Sequence, residues 1–273
     1  MTALRIAGQT DVGRRRRDNQ DTFISRPLWS DHDALLVVID GVGGYAGGDQ
    51  AARIAQDAID EYMAAPTGDP LTMLREAVVY ANNRIVQQRQ AEPALSRMCC
   101  VLTAAVADAD DRRLRYVHVG DTRLYRLRAG NLDKLTHDHS LVGVREDAHQ
   151  LTEREAMRHP RRNEILRDVG SAPHRVDDPD FLESDEADFG PGDVLLLCSD
   201  GLTDMLERAQ ITRVLTGPGS PDEHVAELIR LANEHGGHDN ITVVLAQFPA
   251  TADAPESPTP IGPITNDHAI HTP

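Results

Sequence analysis

Cysteine, long apolar runs and positive charge are all scarce in this chain. Its three cysteines among 273 residues include an adjacent pair, Cys99 and Cys100, and form neither a disulfide framework nor a metal-binding spacing. Reduced thiols are the expectation. No stretch approaches the ~18 apolar residues that span a bilayer. The N-terminus MTALRIAGQTDVGRRRRDNQ has no apolar core ahead of a small-residue cleavage site, so no signal peptide and a cytoplasmic location are expected. Lysine and arginine total 28 against 44 acidic residues, a net charge of −16, which argues against nucleic acid as the main partner. An anionic substrate must find a local basic patch. The dense one is Arg14-Arg15-Arg16-Arg17, and such a run is ordinarily a solvated face.

What is present fits a globular protein of one large or two small domains, 40% hydrophobic and without a fixed-period repeat. From Pro249 the composition turns to repeated proline with few large apolar residues, which predicts a folded unit over 1–248 and a disordered tail over 249–273.

The organising stretch is LLVVIDGVGGYAGG, residues 35–48. An apolar strand can hold one end of a sheet rigid, and Asp40 at its mouth presents a carboxylate there, with Gly41, Gly43 and Gly44 keeping side chains clear. Alone, Asp-Gly is a turn signal.

Around it the chain alternates in blocks. Residues 3–8 and 21–27 read as strands. Ala51, Ile54, Ala55, Ala58, Ile59 and Tyr62 recur at helical steps, and a second helix opens at Asp69-Pro70. Strands follow over 98–107, 114–119, 123–128 and 132–135, at hairpin spacings that predict antiparallel pairing of consecutive strands. Residues 141–185 are polar, hold a short helix capped by Thr152 and Glu155, and read as an insertion. A buried-type strand over 193–198 leads to Ser199-Asp200-Gly201. Helices over 207–215 and 221–235 and a strand over 241–248 complete the unit. Grouped strands and paired helices predict an α+β fold: an antiparallel β-sandwich flanked by helix pairs, four layers α-β-β-α.

Asp40, Asp121, Asp200 and Asp239 each stand between an apolar strand and a turn. If those strand ends share one rim of the sandwich, four carboxylates gather with little basic compensation and require a cation to stay ionised. Oxygen-only ligands favour Mg²⁺ or Mn²⁺. Two such ions ~4 Å apart activate water and clamp the oxygens of a phosphoryl displacement.

IDGVGGYAGGDQAA, VGDTRLY, THDHSLV, CSDGLTD and GGHDNITVV, in this order, resemble the metal-dependent protein phosphatase family (type 2C) in its bacterial single-domain form, over essentially residues 5–248. The resemblance implies that Asp40 bridges two metal ions, that the Gly41 carbonyl binds one, that Asp200 and Asp239 complete the first ion's shell, and that Asp121 binds a third ion with Asp200. In Arg16-Arg17-Asp18-Asn19-Gln20-Asp21 it implies that Arg16 grips the substrate phosphate and Asp21 holds metal-bound water. A planar guanidinium suits a tetrahedral oxyanion. It also implies that 141–185 is a flap beside the metals. Arg161 and Arg162 there are expected to be surface charge rather than phosphopeptide contacts, and His118 and His139 to be packed rather than ligating.

The expected activity is hydrolysis of phosphoserine and phosphothreonine in proteins with Mn²⁺ or Mg²⁺, two or three ions, by a monomer opposing a bacterial serine/threonine kinase. Two positions depart from the family. Val42 stands where animal relatives have a histidine general acid. Met98-Cys99-Cys100-Val101 replaces the usual M-G-T-T, removing hydroxyls that would support the metal carboxylates. The second departure keeps open another reading, a weakened phosphatase-like module that binds phosphoprotein for regulation.

Overall fold

In a computed structural model of the protein, residues 3–42 and 47–250 are described. The glycine-rich turn beyond Val42, with Gly43 and Gly44, and the proline-rich tail from 251 lie outside the described residues. One sheet pairs β2 (Thr22–Pro27), β3 (Asp33–Val42), β4 (Cys99–Asp108), β5 (Arg113–Val119) and β8 (Glu183–Asp188) in that order. The other runs β1 (Arg5–Asp11), β10 (Ile241–Gln247), β9 (Val194–Cys198), β6 (Arg123–Arg128), β7 (Asn131–Lys134). Every pairing is antiparallel.

The central strands are apolar throughout because both faces are covered. In β3, Leu35, Val37 and Ile39 pack under the helices α1 (Gly48–Tyr62) and α2 (Pro70–Ala91), while Leu36 and Val38 face the other sheet. In β10, Ile241, Val243 and Leu245 pack against α5 (Asp200–Thr203), α6 (Arg208–Leu215) and α7 (Pro221–Glu234), and Val244 and Ala246 face inward. Period-two alternation thus feeds two cores from one strand, and the run of apolar residues follows. The expected four layers are present. The helix starts are built as their sequences imply: the Asp69 side chain accepts from the Thr72 N–H, and Ser220 with Glu223 forms a capping box.

Two expectations fail. Gly120-Asp121-Thr122 is not a hairpin, because β5 and β6 belong to different sheets. Gly120 adopts φ +108° and the chain crosses the sandwich there, since β6 buries Leu124 between the sheets and Tyr125 and Leu127 against the α5–α7 side. The insertion also holds more structure than one short helix: α3 (Leu141–Asp147) precedes the expected α4 (Glu153–Met157), and β8 closes it. β8 reads ESDEAD with Ala187 its one apolar residue, so backbone pairing with β5 and the ion pairs Arg113–Asp188 and Arg115–Glu186 define it where no apolar run does. No helix among the described residues is long and apolar enough to cross a membrane.

Candidate metal centre

The mouth between the sheets lies where β3, the β5–β6 crossing, the start of α5 and the approach to β10 meet. Asp40 falls on the inward face of β3, in phase with Leu36 and Val38, and pairs with Val101 of β4. Gly41 follows, and no other residue fits there: a Cβ would lie 2.2 Å from the Gly48 carbonyl oxygen and 2.6 Å from that of Gln20. Arg16, Asp40, Gly41, Asp121, Asp200 and Asp239 line one 230 Å³ cavity. The structure therefore brings the predicted residues together, with Asp21 just behind them.

Asp21 is buried, and its Oδ2 accepts from the Ser199 hydroxyl at 2.8 Å and the Thr242 hydroxyl at 2.7 Å. Burial still lifts its carboxyl to about 6 against those bonds. Asp40 is pushed well above the carboxylate range by burial and then by the charges of Asp21 and Asp121, and Asp200 likewise by burial and then by Asp40 and Asp204. Asp121 is raised to about 7 by burial and then by Asp138, against Arg123. Asp200 Oδ1 is buried with no hydrogen-bond partner. Crowded carboxylates, one with an orphaned oxygen, and an adjacent backbone carbonyl form an oxygen donor set that fits a hard divalent cation. Among the described residues no three His, Cys, Asp or Glu side chains already close on one ion position, so carbonyl and water oxygens must complete any shell.

Arg16 reaches into the same cavity, its guanidinium donating to Asp239 Oδ2 at 2.6 Å. Asn240 fixes the loop that carries it: its Oδ1 accepts from the Gln20 N–H at 2.9 Å, and its Nδ2 donates to the Val12 and Asp18 carbonyls at 3.0 Å. The two flap arginines divide. Arg161 forms an exposed pair with Glu164, whereas Arg162 bonds Asp204 at 2.5 Å beside Asp121 and Asp200. Surface charge describes the first only.

His118 and His139 are packed, as expected. His118 is fully buried, bonds the Thr103 hydroxyl through Nδ1 and stands 4.9 Å from the His139 ring. His139 Nδ1 accepts the Gly120 N–H at 3.2 Å, and burial, followed by His118 and Arg167, pushes this imidazole down to about 3. The Thr103 hydroxyl also meets that of Thr122, the residue after Asp121, at 2.8 Å. Hydroxyls missing at Cys100 and Val101 are thus present elsewhere at the rim: Ser199 and Thr242 hold Asp21. The sequence reading missed Ser199, Thr242, Asp138 and Asp204. Asp204 carried a signal, standing four residues after Asp200, one helical turn away. Asp138, bonded to Arg123 at 2.7 Å, stood inside the THDHSLV motif and was given no role there.

Residues 12–246 match the family described as Protein phosphatase 2C. The chain is similar to the serine/threonine phosphatase stp of Listeria welshimeri, 34% identical over 247 residues that cover 88% of this chain and 94% of that protein. It is also similar to the crystal structure of the Mycobacterium tuberculosis serine/threonine phosphatase PstP/Ppp, with TM-score 0.79, 34% identity, and coverage of 91% of this chain and 100% of that one. A structure of the PstP catalytic domain in complex with 2 manganese ions matches with TM-score 0.77 and 34% identity, over 90% of this chain and 98% of that chain.

Proposed function

The chain belongs to the protein phosphatase 2C family of serine/threonine phosphatases, and from that premise we propose that its rim cavity hydrolyses phosphoserine and phosphothreonine in proteins with Mn²⁺ or Mg²⁺. The observation that carries this reading is the meeting of Arg16 with Asp40, Gly41, Asp121, Asp200 and Asp239 round one cavity.

Asp40, Gly41, Asp200 and Asp239 would hold two divalent ions, with Asp121 and Asp200 offering a third position. Bound there, such ions supply Lewis acidity and lower the pKa of water toward neutrality. The protein's part is to bind and orient. Arg16, whose guanidinium bonds Asp239 at 2.6 Å, is placed to grip two phosphate oxygens in parallel. Asp21, fixed by Ser199 and Thr242, accepts a proton or hydrogen bond at a set angle. Asn240 keeps Arg16 and Asp21 in register through the loop between them. Val42 has no proton to give, so water or another group must protonate the leaving serine or threonine oxygen.

The same reading takes residues 1–248 as the catalytic unit with 141–185 as its flap. It also has phosphorylated proteins and a cognate cytoplasmic kinase as partners, and a monomer as the working form. Release of phosphate from a phosphothreonine peptide tests it. Turnover should need added Mn²⁺ or Mg²⁺ and stop in excess chelator. Phosphate release undiminished by chelator would overturn it.

A further inference from the structure

A groove of 790 Å³ runs beside the cavity, between α4 and α6 and past the end of α7. Arg154, Arg158, Arg162 and Arg213 line it, with Asp204 and Glu207 as its two carboxylates. Both carboxylates are already paired, Asp204 with Arg162 at 2.5 Å and Glu207 with Arg154 at 2.7 Å. Arg158 and Arg213 are exposed and have no acidic partner among the described residues, in a chain of net charge −16. Uncompensated cations grouped in a concavity of so acidic a protein mark a place for an anionic ligand.

The groove is continuous with the chemistry at both ends. Arg162 and Asp204, at its inner end, also wall the small cavity that holds Asp121 and Asp200. Its outer wall includes His238, and there the arginine run adjoins it, the Arg14 N–H bonding the Gly237 carbonyl at 2.7 Å. Arg14, Arg15 and Arg17 are exposed, and their side chains also lack acidic partners among the described residues. Met157 and Met205 supply the groove with an adaptable apolar floor, suited to a peptide rather than to a bare ion.

Resting on the phosphatase reading above, we propose that this groove selects substrates with acidic side chains flanking the phosphorylated serine or threonine. An extended peptide advances ~3.3 Å per residue, so the residues that flank a phosphate held in the cavity are the ones that run along the adjoining groove, lined by Arg158 and Arg213. Solvent-exposed pairs are individually weak and screened by salt, so the preference is an on-rate and KM effect of roughly three- to tenfold at low ionic strength.

The test uses three phosphothreonine peptides, identical except for flanking Asp, Ala or Lys on both sides, with p-nitrophenyl phosphate as the measure of chemistry alone. Wild type should show kcat/KM for the Asp peptide roughly three- to tenfold above the Ala peptide, with the Lys peptide lowest, and the gap should shrink in high salt. The R158A/R213A variant should close most of that gap while leaving p-nitrophenyl phosphate turnover unchanged. Equal kcat/KM for the three peptides in wild type, or a gap that survives in the double variant, overturns the groove assignment and leaves the phosphatase reading intact. No turnover of p-nitrophenyl phosphate or of any peptide at saturating Mn²⁺ overturns both. Loss of sedimentation with phosphatidylserine vesicles in the variant, with peptide preference untouched, assigns the groove to a membrane surface and also overturns the proposal.

Discussion

Restoring threonine at Cys100 and at Val101 separately should give opposite results, because the two residues face opposite sides of one strand. Cys100 pairs with Gly41 and Val101 with Asp40. Cys100 belongs to the core under α1 and α2, while Val101 shares the inward face with Asp40. Cross-strand partners hold their Cβ atoms ~4.5–5.5 Å apart, within reach of a hydroxyl-to-carboxylate bond. Threonine has almost the shape of valine, so V101T keeps its place against Gly120, where a Cβ would stand only 2.2 Å from Val101. A hydrogen bond to a charged acceptor contributes ~1.5–3 kcal/mol, and at ~1.4 kcal/mol per factor of ten the upper limit is a ten- to hundredfold gain in metal affinity. Part of that is offset by burying the hydroxyl, so about tenfold is the expected outcome. The assay is the Mn²⁺ concentration giving half-maximal p-nitrophenyl phosphate hydrolysis, with calorimetric Mn²⁺ binding as the second readout. V101T should lower both constants and change the saturated rate little. C100T should leave both constants in place and lower Tm, since its hydroxyl enters an apolar core. If C100T lowers the Mn²⁺ requirement as much as V101T does, the face assignment fails. If wild type is inactive at saturating Mn²⁺ and V101T is active, the binding-module reading replaces the phosphatase one.

Asp200→Asn should remove most activity yet raise the Tm of chelator-treated protein, because a buried carboxylate crowded by Asp40 and Asp204 becomes neutral; wild-type turnover in this variant would refute its role. Asp21 and Asp121 have folded-state values of about 6 and about 7, above the ordinary 3.8. The folded protein therefore binds more protons than the unfolded chain across that window. In chelator, the contribution of these two carboxyls to stability is fully present below the ordinary value and is lost, by up to a few kcal/mol, as pH rises through 7, and saturating Mn²⁺ should flatten that part of the profile. A chelated Tm that climbs between about pH 5 and pH 8 would contradict the crowding. Arg16→Ala should raise KM for a phosphopeptide more than it lowers kcat, while Arg14→Ala leaves p-nitrophenyl phosphate turnover near wild type; equal losses with that small substrate would mean that the run acts only as diffuse charge.

Much of this protein was determined by its sequence alone, wherever a short-range rule acts. Doubly covered strands such as Leu35–Ile39 announce themselves as unbroken apolar runs, and the capped starts at Asp69 and Ser220 are local hydrogen-bond chemistry. The Asp at each strand end could be read because strand and turn signals are both local. What needed the tertiary structure was every relation across the sandwich. A three-residue link such as Gly120-Asp121-Thr122 serves a hairpin or a crossing equally well, and the burial of Leu124, Tyr125 and Leu127 in different cores decides between them. β8, without an apolar run, pairs at the free edge of β5 and forms ion pairs with Arg113 and Arg115, contacts across the fold that its own sequence does not announce. The hydroxyls on Asp21 come from Ser199 and Thr242, 178 and 221 residues away along the chain, and Arg162 parts from its neighbour Arg161 because Asp204 lies opposite one of them. Such contacts join residues distant in sequence, and their energy depends on which elements pack face to face, a quantity no local pattern encodes.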